Sequence, residues 1–535
     1  MAQPRPHYAY LLHIGAMAPA VLGNCMSLCV KCARFMLLLL ACTSGIVPAA
    51  TPAANAPDAA QGVAPALSAP IQDAVDAVLR VPGGAPAMAA VIVQGDAAPW
   101  IHAVGTARAN VAAPVDADTR FYIASQTKSF MGLLGAMLDV RGEFALSTTL
   151  AEVWPGLRLP VPADPRQISM SDLLSHQEGL STSTLNVVTA YVRDVPAAEY
   201  PALLTSEVAP REPGFRYANI GDLIYGAALE ARTGRNWRDW LDSALLRPLA
   251  LEGISPRTST LPDVQVAWNH QWDGAQWRAL PSKPDALMHA AGGLVASPRA
   301  MARWMQLNLG TADPHGVISI GALQRSQRPI AKSNLADGEI DCNGYSLGWY
   351  SCIYRGQQAL LHPGSYNGAV SVTVLVPSAR AGLSLMANSD SAMEGLMLEV
   401  LKSFIGLATG QPDEERRLRK AMGDYPAKVQ ARAARRVADV EQARADPQWG
   451  GWTWRPGAAA LRRCTGRFNN RLYGPMRIDR YGAILRAQVG ALQMELVPAQ
   501  PGLFATSTAV LEPPEPLRCD ADAGRISWRG EVFGK

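Results

Sequence analysis

In a chain of 535 residues, Ser125 and Lys128 form the pair whose types and spacing could do chemistry, in the order Ser125-Gln126-Thr127-Lys128. A serine hydroxyl is a weak nucleophile near neutral pH, and a lysine amine stripped of its proton is a base able to activate it. The apolar run Phe121 to Ala124 gives way here to a helical pattern reaching about Arg141, with Leu and Met recurring every three or four residues. Two residues three apart at a helix start share one face, so Lys128 reaches the Ser125 hydroxyl. The helix dipole also favours negative charge developing beside the Ser125 N–H. Taken alone the spacing is weak, because a capping serine followed by a solvated lysine reads the same way.

Two further groups of residues follow in order. Tyr217-Ala218-Asn219 comes after Glu212-Pro213-Gly214-Phe215-Arg216 and, by itself, is a core tyrosine with a helix-capping asparagine. His362-Pro363-Gly364-Ser365 sits between two strand-like runs and, by itself, is a turn with an exposed histidine. The elements that must position these residues read as α+β. A short amphipathic helix spans Ile71 to Leu79, and apolar runs at Ala87 to Val93 and Trp100 to Val104 suggest a hairpin. Helices follow to about residue 250, and strand-like runs return at Ser346 to Tyr354, Ala359 to His362, Ala369 to Val376 and Gly382 to Ala387. Strands at both ends with helices between imply a sheet that joins the N- and C-terminal segments of one domain.

In combination, a serine-lysine pair, then Tyr-x-Asn, then a basic residue-x-Gly on a strand resembles the active-site serine penicillin-recognising enzymes. The surroundings are similar as well: Asp172-Leu173-Leu174-Ser175-His176-Gln177-Glu178-Gly179-Leu180, Gly292-Gly293-Leu294 and Tyr345-Ser346-Leu347-Gly348-Trp349 resemble segments of β-lactamase-related hydrolases. The resemblance covers about residues 70 to 405. It implies a penicillin-binding-protein or β-lactamase-like α+β domain, an antiparallel sheet flanked by helices plus a helical subdomain. It also implies an acyl-enzyme mechanism without metal or organic cofactor.

Carried onto this sequence, the resemblance makes Ser125 the acylated nucleophile and Lys128 its base. Tyr217 shares the base role and shuttles the proton to the leaving group. Asn219 holds Lys128 and the substrate amide. The N–H groups of Ser125 and Ser365, the latter beside Gly364, form the oxyanion hole. His362 stands where β-lactamases carry lysine, and would meet a substrate carboxylate or support Tyr217. That histidine favours a D-alanyl peptidase or esterase over a dedicated β-lactamase. The alternative is a penicillin-recognising binding or sensor protein that has lost turnover. Gln126, where a smaller residue is commoner, is expected to narrow the pocket, and His176 is expected to be structural.

Organisation follows from composition. Lys31 and Arg34 precede the apolar run Phe35 to Leu40 and small residues up to Ala50, the order of a secretory signal, so residues 1–56 read as a leader and 57–70 as a linker. Leu39-Leu40-Ala41-Cys42 resembles a bacterial lipoprotein box, which would attach the exported chain to a membrane through Cys42; simple export into the periplasm or medium is preferred. Residues 71–408 form the hydrolase domain. Residues 409–450, dense in Arg, Glu and Ala, read as a solvated helical connector. Residues 451–535, with short strands and turns, read as a small β-barrel-like domain, so a chain ending near Gly410 should fold and keep activity. Cys342, Cys352, Cys464 and Cys519 are either buried thiols or, as export favours, the disulfides Cys342–Cys352 and Cys464–Cys519. The net charge of +4, with no basic face interleaved with aromatics, argues against nucleic acid and leaves peptide or small-molecule substrates, acidic ones included.

Overall fold

The computed structural model describes residues 62–535, apart from 213, 281, 393–394 and 508–511. The leader and Cys42 lie outside the described residues. An antiparallel sheet of eight strands forms the centre of the first region: β1 (Ala87–Gln94), β2 (Trp100–Gly105), β3 (Ala331–Asp337), β4 (Ile340–Tyr345), β5 (Tyr350–Tyr354), β6 (Gln357–Tyr366), β7 (Ala369–Val376) and β8 (Ala381–Ala387). Their order in the sheet is β3-β4-β5-β6-β7-β8-β1-β2, so the N-terminal hairpin closes onto the C-terminal strands. The strand β1 shows why its sequence is apolar throughout. Ala87, Ala89, Val91 and Val93 face one core and Met88, Ala90 and Ile92 the other, so both faces are covered.

One face carries the helices α1 (Pro65–Arg80), α4 (Met397–Ala408) and α5 (Glu414–Arg444), which pack on one another. The opposite face carries α2 (Thr127–Val140) and α3 (Ile220–Thr233) with the rest of the helical subdomain. Two expectations are corrected here. Residues 65–70 are not linker: Pro65 opens α1, where its fixed φ suits a first helical position, and Leu67 is buried with Ile71, Ala74, Val75 and Val78. Residues 409–450 are not a solvated spacer either. Leu418, Ala421, Tyr425 and Val429 recur at three- and four-residue intervals on α5 and are buried, a stripe hidden among charged neighbours. Glu414, 1% exposed, accepts from Tyr354 Oη at 3.0 Å and Arg355 Nη1 at 2.9 Å.

The C-terminal region is a closed barrel of eight strands among the described residues, from Gly466–Asn470 to Glu531–Gly534. It does not stand apart. Its apolar interior is continuous with the hydrolase core, and the N–H of Ala491 donates to the Val192 carbonyl at 2.8 Å. A side chain at Gly490 would lie 2.0 Å from that carbonyl, so the barrel's turn fits there only with glycine. Independence of residues 71–408 does not fit this packing, because cutting at Gly410 strips α5 from α1 and α4. Both disulfides form: Cys342–Cys352 ties β4 to β5 at facing positions, and Cys464–Cys519 closes a 55-residue separation in the barrel region.

Candidate active site

The segment leading into Ser125 is fixed from two sides. Phe121–Tyr122 pairs with Val295–Ala296, and the N–H of Ile123 donates to the Leu294 carbonyl at 3.0 Å. The Ile123 carbonyl accepts the Ser371 hydroxyl at 2.9 Å. A side chain at Gly364 would lie 2.1 Å from that same carbonyl, so glycine is what lets β6 run against the segment. Ala124 then takes a left-handed conformation, φ 48°, which is costly for a residue with a Cβ and is held here by the strands on both sides. The chain swings through one tight turn, Ala124–Gln126, into α2, and Ser125 emerges 8% exposed.

Lys128 lies one turn along, 1% exposed. Its Nζ donates to the Ala291 carbonyl at 2.7 Å and to Asn219 Oδ1 at 2.9 Å, and sits 3.4 Å from Ser125 Oγ. Burial lowers its pKa to about 8, while Asp222 acts to raise it. An amine with that pKa is partly neutral near pH 7 and suits a general base. The Tyr217 ring faces the ammonium, with its centroid 4.9 Å from Nζ. Burial pushes the Tyr217 phenol up, opposed by its hydrogen bond with Ser125, so the hydroxyl stays protonated and can pass a proton along. Ser125, Lys128, Tyr217 and Asn219 are therefore brought together as the sequence predicts. Ser365 is exposed on β6, one residue beyond the Gly364 contact.

Three expectations change or sharpen. Gln126 does not narrow the pocket: it is turned inward, 2% exposed, and its Oε1 accepts the Thr373 hydroxyl at 2.6 Å. His362 has no exposed surface, and burial with Lys128 nearby lowers its pKa to about 3, so it is neutral and placed to support Tyr217 rather than to meet a carboxylate as a cation. Its Nδ1 donates to the Pro363 carbonyl at 2.8 Å, leaving Nε2 to accept the Tyr345 hydroxyl at 3.2 Å. Tyr345 Oη in turn lies 3.1 Å from His176 Nε2. The His176 ring packs 4.6 Å from the Tyr217 ring, and Tyr350 stacks on Tyr217 at 6.1 Å. The two buried histidines and two tyrosines thus hold Tyr217 in place.

The residues missed from sequence lie behind Lys128. Asp222, three residues after Asn219 on α3, is 1% exposed, and neither carboxylate oxygen has a hydrogen-bond partner. Burial raises its pKa to about 7, with Lys128 pulling the other way. Glu178, held to about 7 by burial against the pull of Arg211, pairs with Arg211 Nη2 at 3.1 Å. An acid inside the apolar run Ile220 to Leu229 was the available signal for Asp222. Chemically, a hydroxyl, a depressed amine and a protonated phenol in contact can move one proton out of Ser125 and return it to a leaving group.

Comparison with known proteins gives the family and the fold. The Beta-lactamase family model matches residues 71–400. Penicillin-binding protein 4 of Amycolatopsis lactamdurans is 25% identical over 355 residues, covering 63% of this chain and 88% of that protein. Protein flp of Staphylococcus aureus is 20% identical over 291 residues, and the chain spans 56% of its length, 54% of this chain being matched. The octameric penicillin-binding protein homologue from Pyrococcus abyssi superposes with a TM-score of 0.55 at 15% identity, covering 87% of this chain and 98% of that one. That likeness shows the fold alone, and it extends beyond residues 71–400.

Proposed function

Since the chain belongs to the beta-lactamase family, of serine hydrolase fold, we propose that it hydrolyses D-amino-acid peptides or small esters through an acyl-enzyme on Ser125, in preference to β-lactams. The observation that carries this reading is Lys128 Nζ, buried, 3.4 Å from Ser125 Oγ and held by Asn219 and the Ala291 carbonyl. Neutral Lys128 takes the Ser125 proton as Oγ attacks the acyl carbon. The C–O or C–N bond to the leaving group then breaks, and Tyr217 hands the leaving group a proton that Lys128 replaces. Water reverses the sequence: it loses a proton to the same pair, attacks the ester, and Ser125 recovers its hydrogen. The N–H groups of Ser125 and Ser365 serve the oxyanion.

The preference against β-lactams rests on His362. A neutral, buried imidazole leaves β6 without the cation that β-lactamases present at that position. We also infer work outside the cytoplasm, a reading supported by two disulfides. The test is a panel of D-Ala-D-Ala peptides, short nitrophenyl esters and a chromogenic cephalosporin. The peptide or ester should turn over faster than the cephalosporin. Fast cephalosporin turnover alone would overturn the substrate reading, and stable acylation by penicillin with no turnover of any substrate would mark a sensor.

A further inference from the structure

A second buried lysine touches Tyr122, in the strand that leads into the nucleophile, and the mechanism has no use for it. Lys283 is 7% exposed, and its Nζ donates to Tyr122 Oη at 3.2 Å. Beyond that it meets two aromatic rings, Tyr366 at 4.2 Å and Tyr122 at 5.4 Å from their centroids. No carboxylate pairs with it among the described residues. An ammonium has three donors, and one buried without an anion is costly to the fold unless something compensates. The surroundings join it to the active site. Tyr122, three residues before Ser125, donates to the Gly292 carbonyl. Gly292 lies against Ala124, and a side chain there would sit 3.5 Å from the Ala124 carbonyl carbon. His289 stands within electrostatic reach of both Lys283 and Lys128, and its Nδ1 is buried without a partner. Tyr366 directly follows Ser365 on β6 and stacks on Tyr191 at 5.3 Å.

We propose that Lys283, set against Tyr122 and Tyr366, is the specificity residue that receives an anionic group, a carboxylate, of the substrate acylating Ser125. This rests on the Ser125 reading and adds to it that the preferred substrate is negatively charged. The missing anion arrives with the substrate: the Lys283 N–H groups not given to Tyr122 have no acceptor among the described residues, and the buried His289 Nδ1 has no partner. A charge-assisted contact in such surroundings is stronger than a neutral one, which is what selection between a charged and an uncharged substrate needs.

The experiment uses the full chain and two pairs of esters. The mono-4-nitrophenyl ester of glutaric acid against 4-nitrophenyl butyrate places the carboxylate on the acyl side. The butyrate ester of 3-hydroxybenzoic acid against phenyl butyrate places it on the leaving group. In one of these pairs the anionic-over-neutral ratio of kcat/KM should fall roughly tenfold or more in Lys283→Met and recover in Lys283→Arg. An unchanged ratio in both pairs overturns the proposal. Lys283→Gln serves in place of Lys283→Met if the latter does not fold. To separate this from failure of the Ser125 reading, glutarate and 3-hydroxybenzoate are titrated calorimetrically into Ser125→Ala protein with and without Lys283→Met. Weaker binding of either anion without Lys283 sustains the site whether or not the enzyme turns over, whereas equal binding, or none of either, overturns it.

Discussion

Two lysines are buried against the segment that carries the nucleophile, Lys128 beside Ser125 and Lys283 against Tyr122, and their surroundings differ in kind. Lys128 is wired into a carbonyl, an asparagine and the Ser125 hydroxyl, with the Asp222 carboxylate behind it. Lys283 has one phenol and two ring faces. Burial depresses both, to about 8 and about 7. The difference teaches that burial alone does not give a lysine its role. Two fixed acceptors leave the Lys128 lone pair facing the Ser125 hydroxyl, while Lys283, with the Tyr122 phenol as its one hydrogen-bond acceptor among the described residues, keeps donors for a ligand whose negative charge would favour its protonated form.

The largest effect separates the two at once. Ser125→Ala and Lys128→Met should each cut kcat on the order of a thousandfold or more on every substrate, and the double variant should lose little beyond either one. Comparable loss in Lys283→Met on neutral and anionic esters alike would erase the distinction. A second effect lies in the pH profile. The base must be unprotonated, so kcat/KM should climb about tenfold per pH unit below the Lys128 pKa of about 8 and level off above it. Asp222→Asn removes the group that raises that pKa, so the rising limb should move to lower pH; a limb that stays in place would show Asp222 to be only packing.

A smaller effect is thermodynamic. For both lysines the folded pKa lies below the unfolded value of 10.5, so the unfolded chain binds more protons between them and stability should rise with pH from about 7 or 8 toward 10.5. Lys128→Met and Lys283→Met should therefore each raise Tm near pH 7 and flatten its increase with pH, as calorimetry would measure. A lowered Tm for Lys283→Met would mean that its contacts to Tyr122 and Tyr366 outweigh its burial. Smallest of all, Tyr345→Phe keeps the ring but breaks the link between His176 and His362, and should cost several-fold in kcat with little change in KM.

Much of this candidate site was legible because its residues come in short runs: Ser125 to Lys128, Tyr217 to Asn219 and His362 to Ser365 each carry their own local geometry. The α+β sheet was legible for a similar reason, since β1 is continuously apolar and β7 and β8 alternate with turns. What escaped reading is set by residues distant in sequence. Asp222 and Glu178 meet only when α3 packs on the segment after Leu174, and Lys283 reaches Tyr122 across 161 residues. The inward turn of Gln126 depends on Thr373, and the burial of α5 depends on α1 and α4. A charged composition hid the stripe on α5 because most of its residues do face water.

The central claim is that Ser125 carries the acyl group. Intact-mass measurement after brief exposure to an activated ester, followed by peptide mapping, tests it directly. The account predicts one added acyl group on the peptide containing Ser125, and none in Ser125→Ala. An adduct on another residue, or near-normal turnover by Ser125→Ala, would contradict it.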